Sequence, residues 1–297
     1  MAAIAPGAAV AVPPSPRPAG FLLRLFRDKP LGAAGGVLML AFLVIGIFGP
    51  WIAPFGFNEI SPADRLLPPS WEHWFGTDNL GRDVLSRCIH GAQLSVIIGC
   101  TAAALATLIS SVLGIVSGYF GGRLDLVTQR FVDAWMSFPD LVILIVVVSV
   151  IGPGMWQIIG TLGLLLGIAG SRIVRSAVIG TREHMYVHAA QSIGAKAPRI
   201  LWRHILPNVL PPIIVLFTTR VGTVILAESG LSFLGLGVPP PAPSWGSMLS
   251  GSGRTYMFQG PWLALAPGLC LTAVVYATNV FGDALRDLLD PRMRGSK

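Results

Sequence analysis

The hydrophobic residues of this chain fall into long apolar runs that are separated by polar segments. A helix needs ~20 residues to cross the ~30 Å hydrocarbon core of a bilayer. Six runs approach or exceed that length, at 31–54, 92–118, 126–151, 155–174, 205–231 and 261–281. The pattern predicts an all-α polytopic membrane protein with six transmembrane helices.

The composition and the distribution of charge agree with this pattern. The chain has 297 residues, of which 53% are hydrophobic and 12% are charged, whereas a soluble domain averages about 25% charged residues. Sixteen of the 21 lysines and arginines lie in segments assigned to one side of the membrane. The positive-inside rule makes that side the cytoplasm and places both termini there. The net charge of +7 therefore reflects orientation, and no nucleic-acid partner is expected.

The runs divide the chain into successive parts. Because the first twenty residues are rich in Ala and Pro, a disordered cytoplasmic tail is expected at the amino terminus. The first apolar run is too long for the hydrophobic region of a signal peptide and is interpreted as a membrane helix. The predicted parts are a tail 1–30, a first span 31–54, an external loop 55–91, a core 92–284 with five spans and a cytoplasmic loop 183–207, and a tail 285–297.

A basic segment, 183–212, interrupts the apolar pattern between the fourth and fifth spans. Its composition predicts a short helix that ends at Gly194, followed by a second helical piece that Pro207 breaks. Ala189, Ala190 and Gly194 are expected to leave one face nearly free of side chains. Another surface could approach such a face closely, so the segment is interpreted as a docking loop.

This segment resembles the coupling loop of the permease subunits of ABC importers, whose pattern is Glu-Ala-Ala, three residues, Gly, nine residues, Ile, one residue and Leu-Pro. The matching residues are Ala189, Ala190, Gly194, Leu206 and Pro207. Two positions differ, because His188 replaces the usual Glu and His204 replaces the usual Ile. The second difference gives the RHILPN form found in the peptide and nickel subfamily.

Three further segments resemble the same dipeptide, oligopeptide and nickel subfamily. They are FGTDNLGRD at 75–83, the proline-rich segment 227–249, which is expected on the external side, and GDALRDLLDPR at 282–292. In the first of them, Asp78 and Asp83 could bind a cation together with Glu72. The spacing favours an ordered turn in which Arg82 pairs with a carboxylate.

The resemblance implies a type I importer permease in the bacterial cell membrane. It further implies a second, homologous permease subunit, two cytoplasmic ATPase subunits and an extracytoplasmic substrate-binding protein as partners. Di- and oligopeptides are the expected substrates, with nickel or another small solute as the alternative. The residues implied to meet the ATPases are Met185, Tyr186, His188, Ala189, Ala190, Gly194, Leu206 and Pro207.

The chain has no sequence pattern for nucleotide or metal chemistry. A G-x-x-x-x-G-K-[ST] phosphate loop is absent, so any ATP is expected to be used by partner subunits and the chain is not expected to be an enzyme. Its three cysteines, Cys88, Cys100 and Cys270, lack the spacing of metal ligands or of a disulfide framework. No cofactor is expected in this chain.

Charged residues inside the predicted spans are candidates for function, because they are costly in hydrocarbon. Arg220 lies near the middle of the fifth span, and Glu228 follows too far along the helix to pair with it. Both could line a translocation path, although Arg220 could equally pack against a carboxylate of a partner subunit. Asp133 could relay ions, but its proximity to Arg130 favours a structural ion pair.

An alternative of another class is an ion-coupled secondary transporter with Asp133, Asp140 and Glu228 as carboxylate relays. Such a transporter is expected to contain an inverted repeat and broken spans in its two halves. The sequence shows neither feature.

Overall fold

In the computed structural model, which describes residues 18–289, the chain is helical and contains no strand. The helices are α1 Pro18–Asp28, α2 Pro30–Ile52, α3 Val84–Phe120, α4 Gly122–Met136, α5 Asp140–Ile151, α6 Met155–Arg182, α7 Met185–Ser192, α8 Ala197–Ile200, α9 Leu206–Phe233, α10 Trp245–Met248 and α11 Trp262–Leu289. Five stretches of helix in this part of the chain are each long and apolar enough to cross a membrane: α2, α3, α6, α9 with the helical residues before it, and α11. A sixth span requires α4 and α5 to act as one bent pair.

The predicted third span, 126–151, is not one continuous helix. The axes of α4 and α5 differ by 82° across a short break that contains Pro139. Proline has no backbone N–H and its ring clashes with the preceding turn, so the helix ends before it and a new one begins after it. At 1.5 Å per residue, the 12 residues of α5 extend only ~18 Å, which is less than a bilayer core.

The close packing of α3 against α6 is made possible by glycines. A Cβ atom on Gly163 would lie 2.5 Å from Leu105 Cδ2, and one on Gly167 would lie 2.8 Å from Ile109 Cβ. The hydroxyl of Ser110 in α3 donates a hydrogen bond of 2.7 Å to the carbonyl of Gly167. Small residues permit such backbone approach between membrane helices. The GxxxG spacing of Gly163 and Gly167 therefore lies at the contact between α3 and α6.

The predicted external loop 55–91 ends earlier than expected, because α3 begins at Val84. Asp83 caps this helix by accepting a hydrogen bond of 2.7 Å from the backbone N–H of Ser86. The polar side chains in the first turns of α3, among them Arg87, hide the start of the helix from a search for apolar runs.

The polar groups before α3 form a buried network. Arg82 Nε lies 2.7 Å from Asp78 Oδ2, which confirms the predicted ordered turn. His73 Nδ1 lies 3.0 Å from Asp83 Oδ1, so that both buried carboxylates have partners. No group of residues that could hold a metal ion occurs within 18–289.

The segment 227–249, predicted to be an external loop, is partly helical. Its first residues continue α9 to Phe233, and α10 folds back against α3 and α9. Trp245 is only 1% exposed, and its ring N–H donates to the carbonyl of Cys88 at 3.1 Å. A single buried tryptophan in a proline-rich segment gives no repeating pattern of apolar residues. The composition of the segment therefore indicates a loop.

The expected amino-terminal tail is partly helical, and the described part of the carboxyl-terminal tail continues a helix. Residues 18–28 form α1, whose Leu25 packs against Ala33 and Ala284, and 285–289 belong to α11. Lys29 Nζ and Asp287 Oδ2 form an ion pair of 2.5 Å between these regions. The remaining tail residues, 1–17 and 290–297, lie outside the described part.

Replacing Gly167 with Ala is expected to destabilise the protein by roughly 1–3 kcal/mol, because the added methyl overpacks the contact between α3 and α6. The measurement is the midpoint of thermal unfolding in detergent. Gly160→Ala on the same helix is the matched control, since nothing lies within 4 Å of its added methyl. Equal midpoints for the two variants would contradict the packing described here.

Replacing Asp83 with Ala is expected to loosen the loop between α2 and α3, because the cap of α3 is lost and His73 and Ser86 lose their shared acceptor. Loss of an N-cap costs ~0.5–2 kcal/mol. Limited proteolysis of the protein in detergent should cut the loop several times faster than in the wild type. Glu59→Ala removes an exposed carboxylate of the same loop and should leave the cleavage rate unchanged.

Candidate functional site: a docking helix between two spans

The helix α7 is attached to the rest of the chain by an apolar contact. Its Val187 is completely buried and Ala190 is nearly so. Both belong to a cluster with Val174, Val178, Ile200, Ile205, Val209 and Leu216, which come from α6, α8 and α9 and from the segment between α8 and α9. The short helix is thereby held against the ends of the two neighbouring spans.

The end of α7 is defined by a Schellman motif. Gly194 has a φ of +77°, the N–H of Ala195 donates to the carbonyl of Ala190 at 3.0 Å, and the N–H of Gly194 donates to that of Gln191 at 2.9 Å. A residue with a side chain is disfavoured in this left-handed conformation by roughly 1–2 kcal/mol. The predicted helix stop at Gly194 is confirmed.

The outer face of α7 consists of Met185, His188, Ala189 and Ser192, and Ile193 extends it just beyond the helix. These helical positions are spaced i, i+3, i+4 and i+7, which places them on one side of a helix. Met185 is 88% exposed and Ile193 is 86% exposed. Large apolar side chains in such a position are typical of a surface that another protein covers.

The expectation that both alanines share the outer face is wrong. Ala190 points into the chain together with Val187, whereas Ala189 points outward. Consecutive helical residues are separated by 100°, so two adjacent alanines cannot both lie at the centre of one face. The sequence also gives a signal for the inner face, since Val187 and Ala190 are three residues apart.

The predicted break at Pro207 does not occur. The helical path continues from α8 through a π-helical segment, Leu201–Ile205, into α9, and the N–H of Leu206 bonds to the carbonyl of Leu201. Pro207 lies in the first turn of α9, where its missing N–H is tolerated. In a π turn, residues five apart lie on the same side of the helix, so Ile200 and Ile205 are buried together. The sequence contains this signal as two isoleucines five residues apart.

Tyr186 is partly engaged within the loop. Its ring centroid lies 5.6 Å from that of His184 and 6.1 Å from that of His204. Partial burial raises the pKa of the Tyr186 hydroxyl above its ordinary value. His204, which replaces the family's usual Ile, therefore lies beside an aromatic ring, and Leu206 beyond it is only partly exposed.

Ion pairs attach the α4 helix to α6 on the same side of the bundle. Arg175 donates two hydrogen bonds, of 2.5 and 2.6 Å, to the carboxylate of Asp125. Asp133 pairs with Arg172 and also lies 3.5 Å from Arg130. The predicted structural pair of Asp133 is confirmed. Both of its carboxylate oxygens lie against arginines, Oδ1 against Arg172 and Oδ2 against Arg130.

The two charged candidates in the fifth span occupy different surroundings. Arg220 is partly buried beside Gly170 of α6, where an added Cβ would lie 2.9 Å from Arg220 Nη2. Within residues 18–289 no carboxylate forms an ion pair with this guanidinium. Glu228 is fully buried and accepts a hydrogen bond of 2.6 Å from Ser232. As expected, Arg220 and Glu228 do not pair.

Two protein-family models match the chain. The model described as the binding-protein-dependent transport system inner membrane component matches residues 110–295. The model described as the N-terminal TM domain of oligopeptide transport permease C matches residues 21–69. Between them the two matches include all five membrane-length helical stretches described above, wholly or in part.

Two relatives agree with the family models, and a solved structure agrees with them in fold. A dipeptide transport system permease protein of Alkalihalophilus pseudofirmus is 40% identical over 268 residues, which cover 90% of this chain and 88% of the relative. A probable D,D-dipeptide transport system permease protein of Escherichia coli is 36% identical, with coverages of 93% and 92%. The MetNI methionine ABC transporter in an inward-facing conformation superposes with a TM-score of 0.56 at 17% identity, over 69% of this chain and 96% of that chain. The chain therefore belongs to the family of binding-protein-dependent transport system inner membrane components, the multi-pass membrane permeases of ABC importers.

Proposed function

We propose that this chain is the permease subunit of an ATP-driven importer of di- and oligopeptides in the bacterial cell membrane. The observation that carries the proposal is α7, which combines a buried inner face with an exposed apolar outer face. Both neighbouring spans contribute to its buried contact. A force applied to α7 would therefore move α6 and α9 together.

The energy for transport is proposed to come from two cytoplasmic ATPase subunits. The sequence has no phosphate-binding loop of the G-x-x-x-x-G-K-[ST] type, so this chain has no evident means of holding nucleotide phosphates. Each ATPase would receive the outer face of a permease in a groove, and Met185, His188 and Ala189 are placed to enter it. In this proposal the loop 183–207 and both termini are cytoplasmic, as the distribution of arginine and lysine favours.

A second permease and an extracytoplasmic binding protein would complete the importer. Arg220 supports the presence of a second permease, because a guanidinium within the membrane needs water, protein or a counter-charge beside it. A second permease that packs against α9 would supply either a carboxylate or a shared aqueous path. The loop between α2 and α3, with its exposed Trp71 and Trp74, is available to a binding protein on the other side.

Peptides are the proposed substrates because the two relatives reported above are named as dipeptide transport system permeases. Nickel is the runner-up from the sequence resemblance. The described residues contain no group of His, Cys, Asp or Glu that could hold a metal ion, although a binding protein could select the solute instead.

The ion-coupled alternative has one feature in its favour. Such transporters contain broken spans in corresponding positions of their two halves, and α4 with α5 is a bent pair. It is the one bent pair in the described part of the chain. Asp133, one of the proposed relays, is instead held by Arg130 and Arg172.

Gentle purification of the tagged chain from its own membranes tests the importer proposal. We expect a P-loop ATPase and a second six-span permease to co-purify, as identified by mass spectrometry. Recovery of the chain alone, in a form that moves solute into vesicles without ATP, would replace the proposal with the ion-coupled alternative.

Replacing Ala189 with Arg is expected to abolish ATP-driven uptake and to reduce co-purification of the ATPase at least tenfold. The long cation would prevent close approach to the outer face of α7, whereas the fold should tolerate it because Ala189 is exposed. The measurements are uptake into whole cells and the amount of ATPase retained on the tagged chain.

The matched control is Gln259→Arg, which adds the same side chain at an exposed position in the connection between α10 and α11. It should leave both uptake and ATPase retention unchanged. Normal uptake by the Ala189 variant, at wild-type amounts in the membrane, would show that the outer face of α7 is not the coupling surface.

A further inference from the structure

A cavity of about 550 Å³ opens among α6, α9 and α11, at the end of the bundle that carries α7. Its wall includes the apolar side chains of Ile173 and Leu216 and the polar side chains of Asn208, Asp283 and Arg286. Small-molecule sites have volumes of ~300–1,000 Å³ and combine apolar walls with a few polar groups. The cavity has the size and the composition of such a site.

Two opposite charges line this cavity, both exposed and both without a partner in the part of the chain that the structure describes. Asp283 and Arg286 are three residues apart on α11 and therefore lie on one side of the helix. Neither forms a hydrogen bond or an ion pair within residues 18–289, with each other or with any other group. Their neighbour Asp287, by contrast, is paired with Lys29 at 2.5 Å.

Two backbone carbonyls at the α9 side of the cavity lack their usual helical donors. Pro211 and Pro212 line it and have no N–H, so the carbonyls of Pro207 and Asn208 lack their usual partners four residues later. Within a membrane, such carbonyls are tolerated where water or another polar group reaches them. The side-chain N–H₂ of Asn208 is already donated to the carbonyl of His204 at 2.7 Å, which leaves its amide oxygen as an acceptor.

We propose that this cavity binds a zwitterionic solute that carries a free ammonium group and a free carboxylate, a small peptide in the first instance. The ammonium would lie among the carboxylate of Asp283 and the oxygens of Asn208, and the carboxylate would lie against the guanidinium of Arg286. An extended dipeptide spans up to ~7 Å, and the Cβ atoms of residues three apart on a helix lie ~5–6 Å apart. The two charges of the cavity therefore match the two ends of a dipeptide.

The position of the cavity gives this site a place in the transport path. Thr219 lines the cavity and immediately precedes Arg220 in α9. The guanidinium of Arg220 lies beside Gly170 of α6, and Ile173, which also lines the cavity, is one helical turn beyond Gly170. Arg220 and the cavity thus follow one another toward the α7 end of the bundle. The site is the point from which a solute leaves on the side of the coupling loop, and its identification as a peptide site rests on the function proposed above.

The test measures the binding of dialanine to the permease–ATPase complex in lipid nanodiscs by calorimetry. Two blocked probes accompany it: N-acetyl-dialanine, which has no ammonium, and dialanine amide, which has no carboxylate. Asp283→Asn and Arg286→Gln should each weaken dialanine binding at least about tenfold, as expected for the loss of one partner of a charge pair. Asp287→Asn and Lys29→Gln remove the neighbouring ion pair and should leave binding unchanged.

The blocked probes assign each end of the peptide. N-acetylation should weaken binding to the wild type about as much as Asp283→Asn does, and it should cause little further loss in that variant. The amide should show the same relation with Arg286→Gln. Wild-type affinity in the Asp283 and Arg286 variants, or equal binding of the blocked probes, would overturn the proposal.

Uptake distinguishes failure of this site from failure of the importer proposal. ATP-driven uptake of dialanine by the wild type, together with wild-type binding in the cavity variants, overturns the site and leaves the importer intact. Failure of the wild type to retain an ATPase or to import any peptide overturns the proposed function instead.

Discussion

Hydrocarbon offers no hydrogen bonds, and the rest of the structure depends on this constraint. Each backbone N–H and carbonyl at membrane depth must find a partner within the protein or in water that reaches a cavity. The chain nevertheless contains Pro139 in its third span and Pro211 and Pro212 in its fifth. The first proline separates two helices. The other two lie where α9 borders the cavity, where water that enters the cavity can reach the backbone.

Close packing connects α7 to α3, α6 and α9. The glycines of α6 bring its backbone against α3, and the hydroxyl of Ser110 fixes the two helices in register. On the other side, Arg182 donates to the carbonyl of Tyr119 at the end of α3, at 2.9 Å. Because packed helices move as units and do not stretch, displacement of α7 reaches α3 through α6, and reaches α9 through the buried cluster that contains Val187.

Apolar length and composition were sufficient to predict the helical membrane fold, since both depend on local sequence alone. The same signals failed where tertiary contacts decide the outcome. Trp245 is buried by neighbours distant in sequence, Pro207 is accommodated by a π turn upstream, and Ala190 is turned inward by the anchor at Val187. For the docking site, the sequence predicted the helix and its stop at Gly194. It could not predict the direction of each side chain, nor that Asp283 and Arg286 face a cavity.

Ala190 points into the chain and Ala189 points outward, so mutations at these two identical neighbours should be compensated at different places. A larger residue at Ala190 displaces atoms of this same chain, so smaller residues at other positions of its own cluster, such as Val174 or Ile205, can compensate for it. A larger residue at Ala189 leaves this chain unstrained. If a partner protein covers the outer face of α7 as proposed, suppressors of such a change lie in that protein, and selecting for them would identify it without isolating it.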